Sequence, residues 1–141
     1  LLPFVTQTAI GKHAHLTVFG NDYPTRDGSC IRDYIHVMDL AEAHVAALEF
    51  LAKEAAGLLE AVNIGTGKGT SVLEIVEAFE KVTGKALPHQ IGPRRAGVVI
   101  EIYANASKGQ ALLGWKARLS IEDAIRDAWA WENYLATSAK P

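Results

Sequence analysis

The sequence predicts an α/β fold, in which short strands carry helices packed against them. Three observations support this prediction. The chain of 141 residues is 49% hydrophobic, which is enough for one core of ordinary size. Apolar residues recur at helical spacing from Val72 to Val82, and a short apolar run that ends at a glycine covers residues 16–19. One domain, or one part of a larger one, is therefore expected.

The charge balance and the single cysteine exclude several classes of partner. With 14 basic and 16 acidic residues the formal net charge is −2, so the chain lacks the excess of cations that binds nucleic acid. No apolar run reaches the roughly 18 residues that span a bilayer, so no membrane partner is expected. Cys30 is the only cysteine, which rules out an internal disulfide and favours a cytoplasmic protein.

The chain opens on a predicted helix. Its apolar face consists of Leu1, Leu2, Val5 and Ala9. Gly11 is placed to end this helix. Because the helical pattern is already established at the first residue, which is not Met, we expect the chain to be part of a longer protein. His13 and His15 follow in a loop, and two histidines without a third ligand nearby predict solvent exposure and not a metal site.

The stretch over residues 18–40 predicts the candidate binding element. A strand over Leu16 to Phe19 and a turn-rich loop precede a second strand, predicted over Ile31 to Val37 with alternate residues on opposite faces. One face would carry three planar polar side chains, Arg32, Tyr34 and His36. Such a face suits an anionic ligand with a ring, and it also suits a solvated strand whose arginine pairs with a surface carboxylate.

The middle of the chain predicts a helix, a strand and a second helix. Asp39 with Glu42 resembles a capping box and predicts a helix through about Ala52, with a core stripe of Leu40, Ala43, Ala47 and Leu51. A strand is predicted over residues 61–64. Ser71 with Glu74 predicts the start of the second helix, which ends at Gly84 and buries Val72, Ile75, Val76, Phe79 and Val82.

The glycine-rich loop between that strand and that helix does not match a phosphate-binding signature. A Walker A loop has Ser or Thr after its Gly-Lys pair, whereas Lys68 is followed by Gly69. The Gly-x-Gly-x-Gly run also misses the Gly-x-Gly-x-x-Gly pattern by one residue. The loop is therefore interpreted as structural.

The C-terminal half predicts strands over residues 87–91 and 98–103. Arg94 and Arg95 follow the first of them, either as a solvated pair or as a clamp for a diphosphate. Asn105 is predicted to cap a helix through Leu113, and Ser120 with Asp123 to open the last helix. Packing roles are predicted for Trp115, Trp129 and Trp131. The tail from Ala136 to Pro141 is expected to fray.

Four strings, in this order and spacing, resemble the C-terminal part of UDP-glucose 4-epimerase (UDP-galactose 4-epimerase), an extended short-chain dehydrogenase/reductase: VFGNDYPTRDGSCIRDYIHVMDLAEAHVAAL, AVNIGTGKGTSVLEIVEAF, GPRRAG and NASKGQALLGW. The resemblance covers nearly the whole chain. It implies a two-domain fold whose N-terminal Rossmann domain holds NAD and whose C-terminal portion binds the UDP-sugar. A hydride leaves the sugar's four-position and returns to the other face, with catalysis by a Tyr-x-x-x-Lys pair.

The resemblance also implies roles for particular residues. Phe19 would contact uracil, largely through its backbone, with Thr17 close by. Arg32 and Arg95 would hold the diphosphate, and Tyr34 would lie beside the bound nucleotide sugar.

Three positions bear on specificity or depart from the family pattern. Ile102 occupies a position that limits the size of the sugar. In members restricted to glucose and galactose this residue is a bulky Tyr, and in members that admit N-acetyl sugars it is small. The isoleucine therefore predicts a sugar site of intermediate size and leaves the identity of the sugar open. Val98 replaces an aspartate that would bind the ribose hydroxyls, a loss of about 1–3 kcal/mol if they stay unpaired. Cys30 replaces a loop glycine and is interpreted as a substitution, not a nucleophile.

None of the four tyrosines has a lysine four residues later, and no Rossmann glycine fingerprint is present. Residues 1–141 are therefore expected to be the UDP-sugar-binding portion of an NAD-dependent 4-epimerase, inactive alone, with NAD bound by the missing domain. The alternatives are another nucleotide-sugar epimerase or dehydratase, or a non-catalytic nucleotide-sugar binding module. Residues 38–66 are expected to pack with the missing Rossmann sheet, and their exposed apolar faces predict a homodimer or other self-association.

Overall fold

A computed structural model describes residues 1–54 and 56–138. Within these ranges, the helices are α1 (Leu2–Ala9), α2 (Val37–Leu51), α3 (Val72–Thr83), α4 (Ser107–Leu113) and α5 (Ile121–Ser138). The strands are β1 (Leu16–Phe19), β2 (Ile31–Arg32), β3 (Thr70–Ser71), β4 (His89–Gly92) and β5 (Glu101–Ile102). The predicted α/β class is confirmed.

The strands form two small sheets. β1 pairs with β4 in parallel, with Phe19 opposite Gly92. In the second sheet β2 is central, antiparallel to β3 and parallel to β5, so that Arg32 lies opposite both Thr70 and Ile102. The two candidate binding strands, β1 and β2, therefore belong to different sheets, and the space between them is available for a ligand.

The hydrophobic core lies where α3 packs against α5, with α1 and β1 beside them. The predicted stripe of α3 is buried at Ile75, Val76 and Phe79, because residues three and four apart share one helix face. Its two ends, Val72 and Val82, are only partly buried. Val5 of α1 and Ile125 of α5 are fully buried in the same cluster.

The predicted caps of α3 and α5 are confirmed. Ser71 Oγ accepts from the Glu74 amide while the Glu74 carboxylate accepts from the Ser71 amide, which is a complete capping box. Gly84 ends α3 in the left-handed region at φ 67°. At α5, Ser120 Oγ accepts from the Asp123 amide at 3.1 Å, and the Asp123 carboxylate accepts from the Ser120 amide at 2.9 Å.

The strand predicted over residues 31–37 is wrong beyond its second residue. β2 ends at Arg32 because its partners β3 and β5 each supply only two paired residues. His36 is instead the N-cap of α2, where its Nδ1 accepts from the Met38 amide at 3.1 Å and its ring is buried. It does not share a strand face with Arg32 and Tyr34.

The predicted start of α2 is likewise corrected. Asp39 is not its cap but lies buried in the first turn, where its carboxylate accepts from the amides of Arg118 (3.1 Å) and Leu119 (2.9 Å). The carboxylate thus ties α2 to the segment that leads into α5. Of the predicted core stripe, Ala43 is buried and Leu51 is 51% exposed, since α2 has few covering neighbours in the described residues.

Several other boundaries differ from the predictions. Residues 61–64 form no strand, because no described strand lies beside them to share hydrogen bonds. Of the strand predicted over residues 98–103, only the two residues of β5 pair with a neighbouring strand. The strand predicted at 87–91 is β4, shifted toward Gly92, and the short β3 was not predicted. The N-cap of α4 is Ala106, while Asn105 Oδ1 accepts from the Ser107 amide.

The aromatic packing predictions hold for two of the three tryptophans. Trp115 is buried, and Trp129 meets Phe79 edge to face with ring centroids 5.6 Å apart. Trp131 is 59% exposed and stacks on Tyr134, so its predicted packing role is wrong. The fraying predicted from Ala136 onward is wrong as far as Ser138, because α5 extends to that residue. The last part of that tail, residues 139–141, lies outside the described residues.

Candidate functional site

A cavity of about 590 Å³ lies beside β1 and β2. It gathers side chains from α1, β1, β2, α3 and the connecting segments: Leu1, Phe4, His13, His15, Leu16, Thr17, Val18, Phe19, Cys30, Arg32, Tyr34, Val72, Arg95 and Val98. Five of the six residues predicted to bind the ligand are in this set, namely Thr17, Phe19, Arg32, Tyr34 and Arg95. They come from three separate stretches of sequence, and only the fold brings them together.

β1 presents an unpaired backbone edge. The amides of Leu16 and Gly20 donate toward the β4 side, to the carbonyls of Pro88 (2.8 Å) and Gly92 (3.0 Å). Backbone groups alternate sides along a strand, so those of the intervening odd-numbered residues point away from β4. Among the described strands only β4 pairs with β1. The N–H and C=O groups on the free edge are available to the polar edge of a planar ring.

The two cavity arginines are held differently. The Arg32 guanidinium donates to three carbonyls, those of Ile31 (2.6 Å), Val99 (2.5 Å) and Ile100 (3.4 Å). These bonds fix its position but leave its charge uncompensated. Arg95 is exposed, and neither an ion pair nor a side-chain hydrogen bond joins its guanidinium to the described part of the chain.

Its neighbour Arg94 is a structural residue. Its guanidinium pairs with Asp22 at 2.7 Å and lies over the Tyr23 ring, 4.4 Å from the centroid. The hydrogen bond from Arg94 also holds the pKa of the Asp22 carboxyl below its ordinary value. Each interpretation of the adjacent arginines thus fits one of them. Arg94 forms an ion pair at the surface, whereas Arg95 lines the cavity.

The cavity favours an anionic ligand. None of the described residues that line it is Asp or Glu, whereas two are arginines. Burial raises the pKa of the Tyr34 phenol, an effect that the nearby Arg32 charge opposes, so the hydroxyl stays protonated at neutral pH and can donate a hydrogen bond. A ligand with two phosphate charges and a ring has a matching partner for each part.

Asp33, between the two binding residues of its segment, anchors the glycine-rich loop. Its carboxylate accepts from the amides of Thr66 (3.0 Å), Gly67 (3.1 Å) and Ala104 (3.2 Å), and from Thr66 Oγ1 (2.5 Å). A Cβ on Gly65 would lie 2.5 Å from Asp33 Oδ2, so the loop approaches closely only because residue 65 is glycine. Sequence reasoning missed the anchoring role of Asp33. The feature that could have indicated it is a carboxylate between two candidate ligand-binding residues, Arg32 and Tyr34.

The same bonds show that the loop does not fit a dinucleotide. The amides of Thr66 and Gly67, which a pyrophosphate would need, already donate to Asp33. These two amides are therefore not available to a pyrophosphate. The structural interpretation of the glycine-rich loop is confirmed.

Ile102 lies outside the cavity. It is 56% exposed and lines a neighbouring depression with Asn63 and Tyr103. Arg32 lines both the cavity and the depression, so it stands at the boundary between them. Of the other five predicted residues, only Arg32 lines this depression together with Ile102.

The histidine loop also borders the cavity, which sequence reasoning missed. His13 and His15 are exposed as predicted, yet both contribute to the cavity lining. The His13 ring stacks on Phe4 at a centroid distance of 5.4 Å and an interplanar angle of 25°. The sequence feature that could have placed these histidines at the cavity is their position, because their loop leads directly into β1.

The described residues hold neither a metal-binding cluster nor a membrane-spanning helix. Within residues 1–54 and 56–138, no group of three or more His, Cys, Asp or Glu side chains is placed to hold a metal ion. No helix in the described ranges combines the length and the apolar character needed to cross a lipid bilayer.

Comparison with known proteins identifies relatives along most of the chain. A family model described as GDP-mannose 4,6 dehydratase matches residues 1–128. The chain is 55% identical to UDP-glucose 4-epimerase 4 of Oryza sativa subsp. japonica over 131 residues, which are 93% of this chain and 35% of the rice protein. It is 49% identical to UDP-glucose 4-epimerase of Bacillus subtilis over 133 residues, 94% of this chain and 39% of that protein.

Solved structures agree. A UDP-glucose 4-epimerase from Stenotrophomonas maltophila, with bound NAD and formylated UDP-arabinopyranose, matches with a TM-score of 0.94 and 46% identity, covering 99% of this chain and 41% of that one. The Bifidobacterium longum enzyme in complex with NAD+ and UDP matches with a TM-score of 0.88 and 44% identity, covering 95% and 39%. The chain thus spans less than half the length of these relatives. It belongs to the family that the GDP-mannose 4,6 dehydratase model describes, that of the extended short-chain dehydrogenases/reductases, and it matches the C-terminal part of UDP-glucose 4-epimerases.

Proposed function

We propose that this chain is the UDP-sugar-binding part of an NAD-dependent UDP-glucose/UDP-galactose 4-epimerase, an isomerase. The observation that carries the proposal is the cavity beside β1, which combines a free strand edge, two guanidinium groups and no carboxylate among its described lining residues. The relatives' names and the ligands NAD, UDP and a UDP-sugar derivative in their structures support it.

The proposed ligand runs along the cavity in three parts. Uracil lies against the free edge of β1, where Thr17 and Phe19 present backbone donors and acceptors. The diphosphate lies between Arg95 and Arg32, because two negative charges need more than one cation. The sugar continues past Arg32 and Tyr34 toward the depression lined by Ile102, which gives that residue its proposed effect on sugar size.

Catalysis and cofactor binding are assigned to residues outside this chain. No Tyr-x-x-x-Lys pair occurs in the 141 residues, and the glycine-rich loop is occupied by Asp33. We therefore expect NAD, which would take up and return the hydride at the sugar's four-position, to be bound by the part of the relatives that this chain does not match. The chain alone is expected to bind without turning over.

The domain boundaries follow from the same proposal. Residues 1–141 form the UDP-sugar-binding portion, and residues 38–66 pack with the Rossmann sheet of the missing part. The outer face of α2 supports this, because Met38, Val45 and Leu48 are each more than half exposed. When that face is uncovered, self-association or a homodimer follows. A cytoplasmic location completes the proposal.

A second candidate function is epimerisation of a different nucleotide sugar. Two relatives at 50–51% identity are named bifunctional UDP-glucose and UDP-xylose 4-epimerases. Room at Ile102, which is 56% exposed, does not separate these two sugars, because xylose lacks the hydroxymethyl group of glucose and is the smaller of the two. Competition between UDP-glucose and UDP-xylose, measured as displacement of one by the other, ranks the two candidates.

Isothermal titration calorimetry with UDP-glucose tests the proposed function. The parent chain is expected to bind, and Arg95→Gln to weaken binding about tenfold or more, since a charge-assisted contact to phosphate is lost. Arg94→Gln is the matched control, because the adjacent arginine is engaged with Asp22 and Tyr23. Equal losses in both variants, or no binding by the folded parent, would refute the assignment.

A turnover assay separates the remaining alternatives. UDP-galactose incubated with the chain and NAD is expected to give no UDP-glucose by NMR. Turnover by the chain alone would show that catalytic residues lie within it. This result would contradict the proposal that catalysis belongs to residues outside the chain. Binding without turnover in any longer form of the protein would favour a non-catalytic nucleotide-sugar binding module.

A further inference from the structure

A second cavity, of about 420 Å³, lies beside α4 and the glycine-rich loop. Its walls are the loop over residues 65–67, the segment over residues 103–107, and the side chains of Gln110, Trp115 and Lys116. None of these residues lines the cavity beside β1. The second cavity is therefore a separate feature of the fold, which the proposed function does not use.

Trp115 brings an unsatisfied hydrogen-bond donor to the wall of this cavity. Its side chain is 7% exposed, and its Nε1 is buried without a hydrogen-bond partner in the described part of the chain. Thr8 and Tyr23 hold the other such atoms in that part, but neither residue lines either cavity or the depression beside Ile102. Because an indole N–H can only donate, and buried donors are almost always paired, an acceptor from outside the chain is required.

The remaining free polar groups of the wall are also donors. Asn105 Oδ1 already accepts from the Ser107 amide at 3.2 Å, so the NH₂ group is the end of this side chain that is left for a ligand. No described carboxylate lies within ion-pair distance of the Lys116 ammonium. A ligand in this cavity therefore meets groups that donate hydrogen bonds.

The glycine-rich loop, on the opposite wall, contributes shape rather than binding groups. The amides of Thr66 and Gly67 donate to Asp33, as described above, and are not available to a ligand. The Asp33 carboxylate does not line the cavity, and its oxygens already accept four hydrogen bonds. It therefore competes little for the donors of the opposite wall.

The charge at the cavity is positive. Lys116 is the one charged side chain among the described residues that line it. Lys108, next to Ser107, is paired with Glu60 at 2.6 Å, so these two charges offset one another. A small group that is negatively charged and carries several acceptor oxygens matches this combination of one cation and several donors. Phosphate and carboxylate groups both have these properties.

We propose that the second cavity is a binding site for a small oxyanion, namely the phosphate or carboxylate group of a small molecule. The Lys116 ammonium and the Asn105 NH₂ group hold the oxyanion by charge-assisted hydrogen bonds. The Trp115 indole N–H donates to it directly or through one bridging water. The site goes beyond the proposed function, because it shares no lining residue with the UDP-sugar cavity.

A titration of the ¹⁵N-labelled chain with inorganic phosphate at pH 7 tests the inference, with sodium chloride keeping the ionic strength constant. The chain has three tryptophans, whose indole N–H signals are assigned through the labelled backbone. We expect the Trp115 signal to shift and reach saturation, while those of Trp129 and Trp131, which lie outside the cavity, stay in place. A parallel titration with succinate shows whether phosphate or carboxylate binds more tightly.

Lys116→Gln is expected to weaken binding of the tighter anion about fivefold, which is the size of one exposed charge contact. Lys53→Gln is the matched control, since Lys53 is an exposed lysine just beyond α2 and does not line the cavity. It is expected to leave the affinity unchanged. Both positions are exposed, and circular dichroism spectra confirm that each variant is folded.

Three results would overturn the inference. The first is the lack of a saturable shift of the Trp115 indole signal with either anion. The second is an equal affinity in folded Lys116→Gln and Lys53→Gln. The third is a shift of the same size with sodium chloride alone, which would indicate general screening of charge. Each of these results leaves UDP-glucose binding beside β1 untouched, so the proposed function stands or falls separately.

Discussion

Replacing Asp33 by Asn tests how the binding segment is held in place. In the parent, Oδ1 accepts from the amide and hydroxyl of Thr66, and Oδ2 accepts from the amides of Gly67 and Ala104. If the new NH₂ group replaces Oδ2, the amides of Gly67 and Ala104 both lose their acceptor. If it replaces Oδ1, the Thr66 amide loses its acceptor, while the Thr66 hydroxyl can turn to accept from the NH₂ group.

The expected cost follows from the loss of an acceptor for at least one amide and from the weaker bonds that an uncharged side chain makes to the other donors. Hydrogen bonds to charged groups contribute about 1.5–3 kcal/mol each, and a partly exposed loop can relax, so we expect the free energy of unfolding to fall by about 3 kcal/mol. Urea denaturation followed by tryptophan fluorescence at pH 7 measures this value. Because the loop and the segment after β5 both flank Arg32, UDP-glucose binding should weaken as well.

Asp22→Asn is the matched control for this experiment. Asp22 has the same side chain but is exposed and is engaged mainly with Arg94, so the urea midpoint should stay close to that of the parent. If Asp33→Asn unfolds within about 1 kcal/mol of the parent, the four bonds do not anchor the loop as described. The structural interpretation of the glycine-rich loop would then be refuted.

Three further predictions concern the core, the nucleotide and acid stability. Phe79→Ala should lower the free energy of unfolding by about 3–5 kcal/mol in the same urea assay, because it empties the centre of the core. Val98→Asp should tighten UDP binding about tenfold in calorimetry by adding an acceptor for the ribose, whereas Val99→Asp, outside the cavity, should not. Hydrogen bonds from Ser120 hold the pKa of Asp123 below its ordinary value of 3.8. Its stabilising effect is therefore present above that pH and lost on acidification, so the stability difference between the parent and Asp123→Asn should shrink between pH 6 and pH 2.

The sequence predicted best the features that depend on local chemistry. α3 and its buried stripe were predictable because a capping box, helical spacing and a terminal glycine all occur within 14 residues of one another, Ser71 to Gly84. β1 was predictable because an apolar run ends at a glycine. These signals need no knowledge of the rest of the fold.

The features that depend on distant partners were not predictable in the same way. Alternation continued past Arg32, but a strand ends where its neighbours end, and those neighbours come from β3 and β5. The role of Asp39 depends on the amides of Arg118 and Leu119, almost 80 residues away. No local pattern around residue 39 indicates them.

The candidate site shows the same division. Residue chemistry alone identified Arg32 and Tyr34 as suitable for an anionic ring-bearing ligand but left a solvated strand equally open. Residue chemistry also offered Arg94 and Arg95 as a diphosphate clamp or a solvated pair. The resemblance selected Arg95 and added Phe19 and Thr17, and the fold then placed all five predicted residues on one cavity. His13 and His15 were missed because they were considered only as metal ligands, whereas the fold places both on the lining of the cavity.

The central claim is that the cavity beside β1 holds a uridine diphosphate sugar. A titration of the ¹⁵N-labelled chain with UDP-glucose, followed by amide chemical shifts, tests it most directly. We predict the largest shifts at Thr17 and Phe19 on the free edge of β1 and at Arg95. Shifts confined to the loop over residues 65–67, with β1 unaffected, would contradict the account.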